Sequence, residues 1–448
     1  MRMYKIKRAL YIFFTLRMKA ICISIVIMTI ATLAIMLTVP TVSRQWHNRL
    51  TRADFLYDFD YMIAALEANF PSFGIIYRQH GVNMLDIAQD LRDRLECGST
   101  RVDFELFWNM LRDDFFYFAS PGDGRLPIGH LYLLADWERK WIISGFGDGP
   151  FWGRTSYYVD ILNTAPSHRS YPALQAHTHP HVRLPCWQPD RVLSASIIER
   201  GSIGYLRVYT LSRGPDADEL EILNSLHNEI ADFEHLIIDI RGNNGGWRHN
   251  FERYVTRYFI CRAHRYQFHY FIMDGAHNMS FLQTTARFRT ITQRTVRDNC
   301  LSIECGDFLF LGGDISCCVI EDISKTNYHY IYSRVVPAMS EHSRSLFGGK
   351  IWLLVDENVY SDAMVVAAIH KDIGFATLVG ETTGGGAAPS FGSNFIALPN
   401  TGIIIRYDPA LVTDRYGRPL EYGIEPHYFN RPGMCALETV LAMISEGV

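Results

Sequence analysis

The sequence predicts an α/β protein, α+β in overall plan, in which helices precede a parallel sheet. Two strand–helix–strand units indicate the sheet. In residues 204–240 a strand of alternating apolar and polar residues is followed by a helix and then by the strand HLIIDI. In residues 350–380 the strand KIWLLVD is followed by the helix DAMVVAAIHKDIG and then by the strand ATLVG. Short, continuously apolar strands are typical of parallel sheets that are buried on both faces. Apolar residues at helical spacing over residues 54–118 indicate the preceding helices.

The first 43 residues have the composition of a basic tail followed by a membrane-spanning segment. Residues 20–42 carry no charge, and a helix of that length reaches about 34 Å, enough to cross a hydrocarbon core of about 30 Å. Basic residues are denser before this segment than after it, so we expect a single-pass signal anchor in the cell membrane, with residues 44–448 outside the cytoplasm. A cleaved signal peptide, which would give a secreted protein, and a buried core helix are the alternatives.

The rest of the chain is predicted to divide into three parts. Residues 44–135 are expected to form a helical subdomain. Residues 136–200, rich in Pro, Gly, His and aromatic residues, are expected to form loops and short strands. Residues 201–448 are expected to form the α/β core, with residues 247–349 as a cap-like insertion.

The composition excludes several classes of protein. The chain has 448 residues, of which 48% are hydrophobic and 20% are charged, and this excludes a disordered protein. A mean hydropathy of −0.02 excludes a polytopic membrane protein. The formal net charge of −4 argues against nucleic acid as a partner. No metal or organic cofactor is implied, and nothing in the sequence indicates an oligomeric state.

The cysteines and one histidine cluster invite a metal-site interpretation that their spacing does not favour. Cys300, Cys305 and the pair 317–318 fit no common zinc-ligand pattern, so disulfides and buried free thiols are the stronger alternatives for the cysteines beyond the anchor. The cluster of His177, His179 and His181 is more typical of a Pro- and His-rich surface loop.

Two positions at which a buried strand ends are candidates for chemistry. Ser361 follows a strand and a tight turn and begins a helix, whose unpaired N–H groups can stabilise an oxyanion; a plain N-cap serine is the alternative. Residues 239–246, DIRGNNGG, form a Gly-rich turn whose backbone can approach a ligand closely. A purely structural turn is the alternative there, and the phosphate-binding G-x-x-x-x-G-K-[ST] motif is absent.

Taken in order, the segments DIRGNNGG, VDENVYSDAMVVAAIHKDIGFATLVGETTGGG and LEYGIEP resemble the tail-specific or C-terminal-processing serine protease family over residues 201–428. The resemblance implies a crotonase-like core of the ββα type that hydrolyses peptide bonds through an acyl-enzyme. It places the nucleophile at Ser361 and the oxyanion hole at the N–H groups of Gly245 and Asp362. A carboxylate at position 362 would also favour a basic side chain in the substrate.

The base that activates the serine departs from one branch of this family. Many members use a lysine in T-x-G-K-G, whereas residues 382–386 of this chain read TTGGG, and Lys371 lies about three helical turns from Ser361. The chain is more similar to the tricorn-core-like branch, which uses Ser, His and Glu and has an Asp directly after the serine. By that resemblance His130, in PIGHL, is the base, and Glu421, in LEYGIEP, orients it.

The sequence therefore predicts a membrane-anchored, extracytoplasmic serine peptidase whose extended polypeptide substrate pairs as a strand beside the core sheet. A catalytically inactive relative that binds peptides or proteins is one alternative, because the activating lysine is missing. An esterase on the same core is another. The absence of G-x-S-x-G around the serine argues against an α/β-hydrolase.

Overall fold

The computed structural model describes residues 46–47, 49–98, 101–116, 128–143, 155–174, 190–259, 263–284, 292–293, 322–323, 325–336, 347–386 and 392–448. The predicted anchor, the HTHPH cluster and all cysteines except Cys97 and Cys435 lie outside these ranges. These two cysteines are exposed free thiols. None of the described helices is both long enough and apolar enough to cross a membrane.

The helices and strands are numbered along the chain. The helices are α1 (Arg52–Asn69), α2 (Phe73–His80), α3 (Met84–Cys97), α4 (Phe104–Asn109), α5 (Asp136–Ile143), α6 (Thr155–Leu162), α7 (Ala165–Leu174), α8 (Ala217–Glu229), α9 (Arg248–Phe251), α10 (Arg257–Phe259), α11 (Ala276–Gln283), α12 (Asp362–Asp372) and α13 (Ala436–Ser445). The strands are β1 (Tyr132–Leu133), β2 (Leu193–Glu199), β3 (Ile203–Val208), β4 (His235–Asp239), β5 (His264–Ile272), β6 (Thr292–Gln293), β7 (Tyr328–Val336), β8 (Lys350–Val355), β9 (Thr377–Gly380), β10 (Asn394–Ala397), β11 (Ile404–Tyr407), β12 (Ala410–Thr413) and β13 (Tyr428–Phe429). Two π-helical turns, Met110–Phe115 and Glu252–Thr256, continue α4 and α9.

Helices α1 to α4 pack their apolar sides together, as the helical spacing in the sequence predicts. Helix α1 begins at a capping box, in which the side chains of Thr51 and Asp54 each accept from the other's main-chain N–H. Phe55 of α1 and Phe107 of α4 are fully buried, with ring centroids 5.1 Å apart. Burial of a side chain of this size contributes about 1.5–3 kcal/mol to folding.

Residues 136–200 differ from the prediction of loops and short strands. Their described part forms α5, α6 and α7 and then β2. These helices bind loop backbone from later in the chain: Ser167 donates to Gly402 O at 2.8 Å, and Tyr158 donates to Ser393 O at 3.0 Å. Tertiary contacts therefore stabilise helices whose composition gives only a weak helical signal. The domain boundaries themselves stay a prediction.

The central sheet has six strands in the order β13-β9-β8-β4-β3-β2. It is parallel except for β2, which runs antiparallel to β3. Both faces are buried: Leu236 and Ile238 of β4 belong to the main core, and Ile237 packs with Trp352 and with Val440 of α13. The prediction of an α/β fold is confirmed. The sheet is parallel from β3 to β13, and the antiparallel β2 makes the sheet as a whole mixed.

Two smaller antiparallel sheets complete the core and lead to the functional site. The described part of the 247–349 insertion supplies β5, β6 and β7, and β5 pairs with β12 from the C-terminal part of the chain, so that Ile272 lies opposite Ala410. In the third sheet, β1 pairs with β11, and Tyr132 lies opposite Arg406. This pairing brings the chain around His130 beside the connection between β11 and β12.

Candidate active site

Three loops meet at the carboxyl edge of the sheet, where the adjacent parallel strands β4, β8 and β9 end. In open α/β sheets this edge is the usual place for a ligand. The fully buried Asn243 joins the loop after β4 to the end of β3 and to the loop after β8, because its Nδ2 donates to Val208 O at 3.1 Å and its main-chain O accepts from Tyr360 N at 3.1 Å. Asp356 Oδ1 accepts from Gly242 N at 2.8 Å. The loops that carry the sequence motifs are thus held together by hydrogen bonds.

Ser361 precedes α12 without capping it. Its side chain makes no capping hydrogen bond, and its main chain has φ 55° and ψ −132°, a conformation that costs a non-glycine residue about 1–3 kcal/mol. Its N–H donates to Gly385 O at 3.3 Å, which fixes the turn. The alternative of a plain N-cap serine therefore does not hold, and the side chain is half-buried at the edge of the sheet.

Gly245 lies directly against the start of α12. A Cβ atom at this position would lie 2.8 Å from Ser361 Cβ and 3.1 Å from Asp362 N, and the residue has φ 103°, so only glycine fits. Within the described residues the Asp362 N–H makes no hydrogen bond, whereas the Gly245 N–H donates to Asn243 Oδ1 at 3.0 Å. One of the two predicted oxyanion donors is therefore open, and the other is held by Asn243.

The Asp362 carboxylate is paired within the protein. Its Oδ1 lies 3.0 Å from Arg248 Nη1, and its Oδ2 accepts from the Arg248 main-chain N–H at 3.1 Å. The expectation that this charge favours a basic substrate side chain gains no support from these contacts.

A lysine in the T-x-G-K-G position has no room in this chain. A Cβ atom on Gly385 would lie 2.5 Å from Glu421 O and 3.0 Å from Glu421 Oε2. Lys371, at the far end of α12 from Ser361, donates to Glu425 O at 2.7 Å. Both observations agree with the prediction that lysine does not activate the serine.

His130 reaches the same edge of the sheet from the 3₁₀ turn before β1. Its φ of 47° is positive, and the turn is fixed by a hydrogen bond of 2.7 Å from Asp408 N to Gly129 O. The buried His130 ring lies 5.0 Å, between centroids, from the ring of Tyr360, the residue before Ser361. In the described part of the chain no hydrogen bond joins His130 to Ser361 Oγ. Catalytic hydrogen bonds of unliganded enzymes often tighten only when substrate binds.

Asp408, which the sequence analysis missed, holds the His130 ring. Its Oδ2 lies 2.7 Å from His130 Nδ1, and its Oδ1 accepts from Ser393 Oγ at 2.7 Å. Burial alone would raise the pKa of Asp408, but the adjacent His130, Arg406 and Ser393 outweigh burial and hold that pKa below its usual value. A signal was present in the sequence, since Asp408 is the only acidic residue in the run IIIRYDPALV.

Glu421, predicted to orient the imidazole, binds main chain instead. Its Oε2 accepts from Gly129 N at 3.1 Å and from Gly386 N at 2.9 Å, and among the described residues no hydrogen bond joins it to His130. Burial, followed by the charge of Asp408, raises the pKa of Glu421. The contact predicted for Glu421 is thus made by Asp408, while Glu421 supports the turn on which His130 sits.

Other histidines near the motifs lie outside this cluster. His249 is exposed. The ring nitrogens of His370, which lies within α12, form hydrogen bonds with Thr256 Oγ1 and Val366 O. No group of three or more His, Cys, Asp or Glu residues is placed to hold a metal ion in the part of the chain that the structure describes.

The chain is similar to known proteins in both sequence and fold. The model of peptidase family S41 matches residues 202–429, just over half of the sequence, and no curated relative matches. Among solved structures, a candidate peptidase from Parabacteroides merdae is 14% identical, with a TM-score of 0.50 over 88% of this chain and 97% of that one. Mature CPAF in complex with lactacystin is 13% identical, with a TM-score of 0.50 over 88% and 96% of the two chains. At these identities the two structures show a similar fold.

Proposed function

The chain belongs to peptidase family S41, the tail-specific or C-terminal-processing serine peptidases, and from this premise we propose that Ser361 hydrolyses peptide bonds of extended polypeptides through an acyl-enzyme. One observation carries the proposal: Ser361 keeps a strained main chain and a side chain that does not cap its helix, directly against Gly245. A serine that served only to begin α12 would need neither feature.

The proposed chemistry uses groups that lie at this edge of the sheet. Neutral His130 would accept the Ser361 proton and return it to the leaving amine. The Asp362 N–H would donate to the oxyanion, and the Gly245 N–H would join it once Asn243 Oδ1 releases it. One such donor typically lowers the barrier by about 3–4 kcal/mol. Water would then hydrolyse the acyl-enzyme, and no cofactor is part of the proposal.

We further propose that the core is crotonase-like and that the substrate pairs as an added strand. Backbone pairing of this kind gives affinity for many sequences, while side-chain pockets give selectivity. The short strand β1 supports a location for it, since among the described strands β1 is at the edge of its sheet, and it begins two residues after His130.

Location outside the cytoplasm, with residues 20–42 as the membrane anchor, is also a proposal. It is supported by the uncharged length of that segment and the basic residues before it. The full chain is expected to stay in the membrane pellet after alkaline extraction, and protease added to intact cells is expected to digest residues 44–448. The double variant Ile27→Lys/Leu33→Lys should lose membrane retention. Membrane retention together with protection from added protease would contradict the orientation.

The test of the activity is cleavage of a reduced, carboxymethylated polypeptide such as casein. We expect Ser361→Ala to lower the rate at least about 10⁴-fold, while the control Ser445→Ala, on the exposed part of α13, retains the wild-type rate. Circular dichroism should show both variants folded. Wild-type rates in a folded Ser361→Ala variant would refute the proposal.

A peptide-binding protein without catalytic activity is the second candidate. The observation that favours it is the lack of a Ser361–His130 hydrogen bond among the described residues. In the same assay, this candidate predicts saturable binding of the casein by the wild type with no cleavage products. Cleavage that depends on Ser361 excludes it.

A further inference from the structure

The hydrogen bonds around Asp408 admit one consistent assignment of donors and acceptors. Arg406 Nε can only donate, so Ser393 Oγ accepts from it at 3.0 Å. The single proton of the Ser393 hydroxyl is then directed to Asp408 Oδ1 at 2.7 Å. Asp408 is an acceptor at both oxygens, so the bond of 2.7 Å at Oδ2 requires a proton on His130 Nδ1.

This arrangement sets the tautomer that a general base needs. In a neutral ring with its proton on Nδ1, Nε2 carries the lone pair. The side chains of His130 and Asp408 are only 5% and 1% exposed, so little water competes for this hydrogen bond. A buried carboxylate in this position also stabilises the imidazolium that forms when the ring accepts a proton.

Arg406 is itself fixed from the other side. Its Nη1 lies 2.6 Å from Glu138 Oε1 and donates to Tyr132 OH at 2.7 Å, and Tyr132 OH donates to the same Glu138 oxygen at 2.7 Å. The guanidinium is therefore held in the orientation that directs its Nε toward Ser393. A chain of polar contacts therefore extends from Glu138 through Arg406 and Ser393 to Asp408.

Building on the proposed function, we propose that Asp408, and not Glu421, is the positioning carboxylate of His130, and that Ser393 and Arg406 fix the orientation of Asp408. Glu421 plays a different part, because it binds the main-chain N–H groups of Gly129 and Gly386 and so shapes the turn. The charges agree with this division, since their surroundings lower the pKa of Asp408 and raise that of Glu421.

The experiment compares Asp408→Asn with Glu421→Gln as matched carboxylate-to-amide changes. We expect Asp408→Asn to lower kcat about 10⁴-fold with KM little changed, because its amide NH₂ donates to Nδ1 and moves the ring proton to Nε2. Glu421→Gln keeps an oxygen for the two N–H groups and should lose at most about tenfold. Ser393→Ala, which removes one hydrogen bond from Asp408, should lose about tenfold.

A second readout follows the proton itself in full-length protein labelled with ¹⁵N-histidine. The wild type and Glu421→Gln should show the proton of His130 on Nδ1, and Asp408→Asn should show it on Nε2. Should Asp408→Asn unfold, the Ser393→Ala variant provides the test. Its His130 Nδ1–H signal should then be weaker than that of the wild type. The inference is overturned if Glu421→Gln moves the His130 proton to Nε2 or lowers kcat about 10⁴-fold, while Asp408→Asn keeps the wild-type Nδ1–H signal and the wild-type kcat.

Failure of the proposed function would look different. In that case the wild type would not cleave polypeptide, or Ser361→Ala would still cleave it, while the NMR tautomer would still report on whether Asp408 or Glu421 controls the ring.

Discussion

His130 and His370 both carry buried imidazoles. His130 lies beside Tyr360, just before α12, and His370 lies within α12. The hydrogen-bond partners of the two rings are different. Nε2 of His370 lies 2.7 Å from Thr256 Oγ1 and Nδ1 lies 2.6 Å from Val366 O, so both ring nitrogens have partners. His130 has Asp408 at Nδ1, and its Nε2 makes no hydrogen bond among the described residues.

The comparison shows what distinguishes a structural histidine from a candidate base. Burial lowers the pKa of His370 to about 4, and its partners are a hydroxyl and a carbonyl, so no negative charge offsets protonation. His130 faces a buried carboxylate that can stabilise a positive ring. Burial alone therefore does not indicate catalysis; a carboxylate at one nitrogen and an open second nitrogen do.

The largest expected effect separates the two histidines by function. His130→Ala should lower kcat for peptide cleavage about 10⁴-fold, because Ser361 loses its base. His370→Phe should leave kcat per folded molecule within about twofold, since the ring nitrogens of His370 are hydrogen-bonded to Thr256 and Val366 and not to Ser361. Steady-state cleavage assays, normalised to folded protein by circular dichroism, measure both. An equal loss of kcat in the two variants would contradict the assignment of His130 as the base and of His370 as a structural residue.

The next effect separates them by stability against pH. The folded pKa of His370, about 4, lies below its unfolded value of 6.5, so its contribution is fully present above pH 6.5 and is lost as pH falls toward 4. The loss amounts to about 3 kcal/mol. Urea unfolding across this range should show a smaller acid loss in His370→Phe than in the wild type. If the free energy of unfolding fell equally with pH in the two proteins, protonation of His370 would not be linked to stability.

The smallest effect concerns Gly385, which stands at the lysine position of the T-x-G-K-G motif. Gly385→Ala should destabilise the protein by about 1–3 kcal/mol, because its Cβ would lie 2.5 Å from Glu421 O. The control Gly348→Ala, where a Cβ would meet no atom of the described residues within 4 Å, should change stability by less than about 0.5 kcal/mol. Thermal unfolding compares the two. A stable Gly385→Ala variant would mean that a side chain fits there after all.

The sequence predicts the sheet edge better than it predicts the histidine pocket. The turns that end in Gly245 and Ser361 follow buried strands directly, so local patterns are sufficient to place them on one edge. The bond between His130 and Asp408 joins residues 278 positions apart, and it depends on the pairing of β1 with β11. No local pattern encodes that pairing, and the resemblance to a known family directs attention to Glu421 instead.

The helices of residues 136–200 were missed for a related reason. Their composition is poor in helix signals, and contacts such as Ser167 to Gly402 O stabilise them only in the folded chain.

The central claim is that Ser361 is a nucleophile activated by His130, and covalent labelling with a fluorophosphonate tests it most directly. Intact mass and peptide mapping should show one adduct, on Ser361, in the wild type and in His370→Phe at equal rates. The adduct should form far more slowly in His130→Ala and be absent in Ser361→Ala. An unlabelled wild type, or equal labelling with and without His130, would contradict the account.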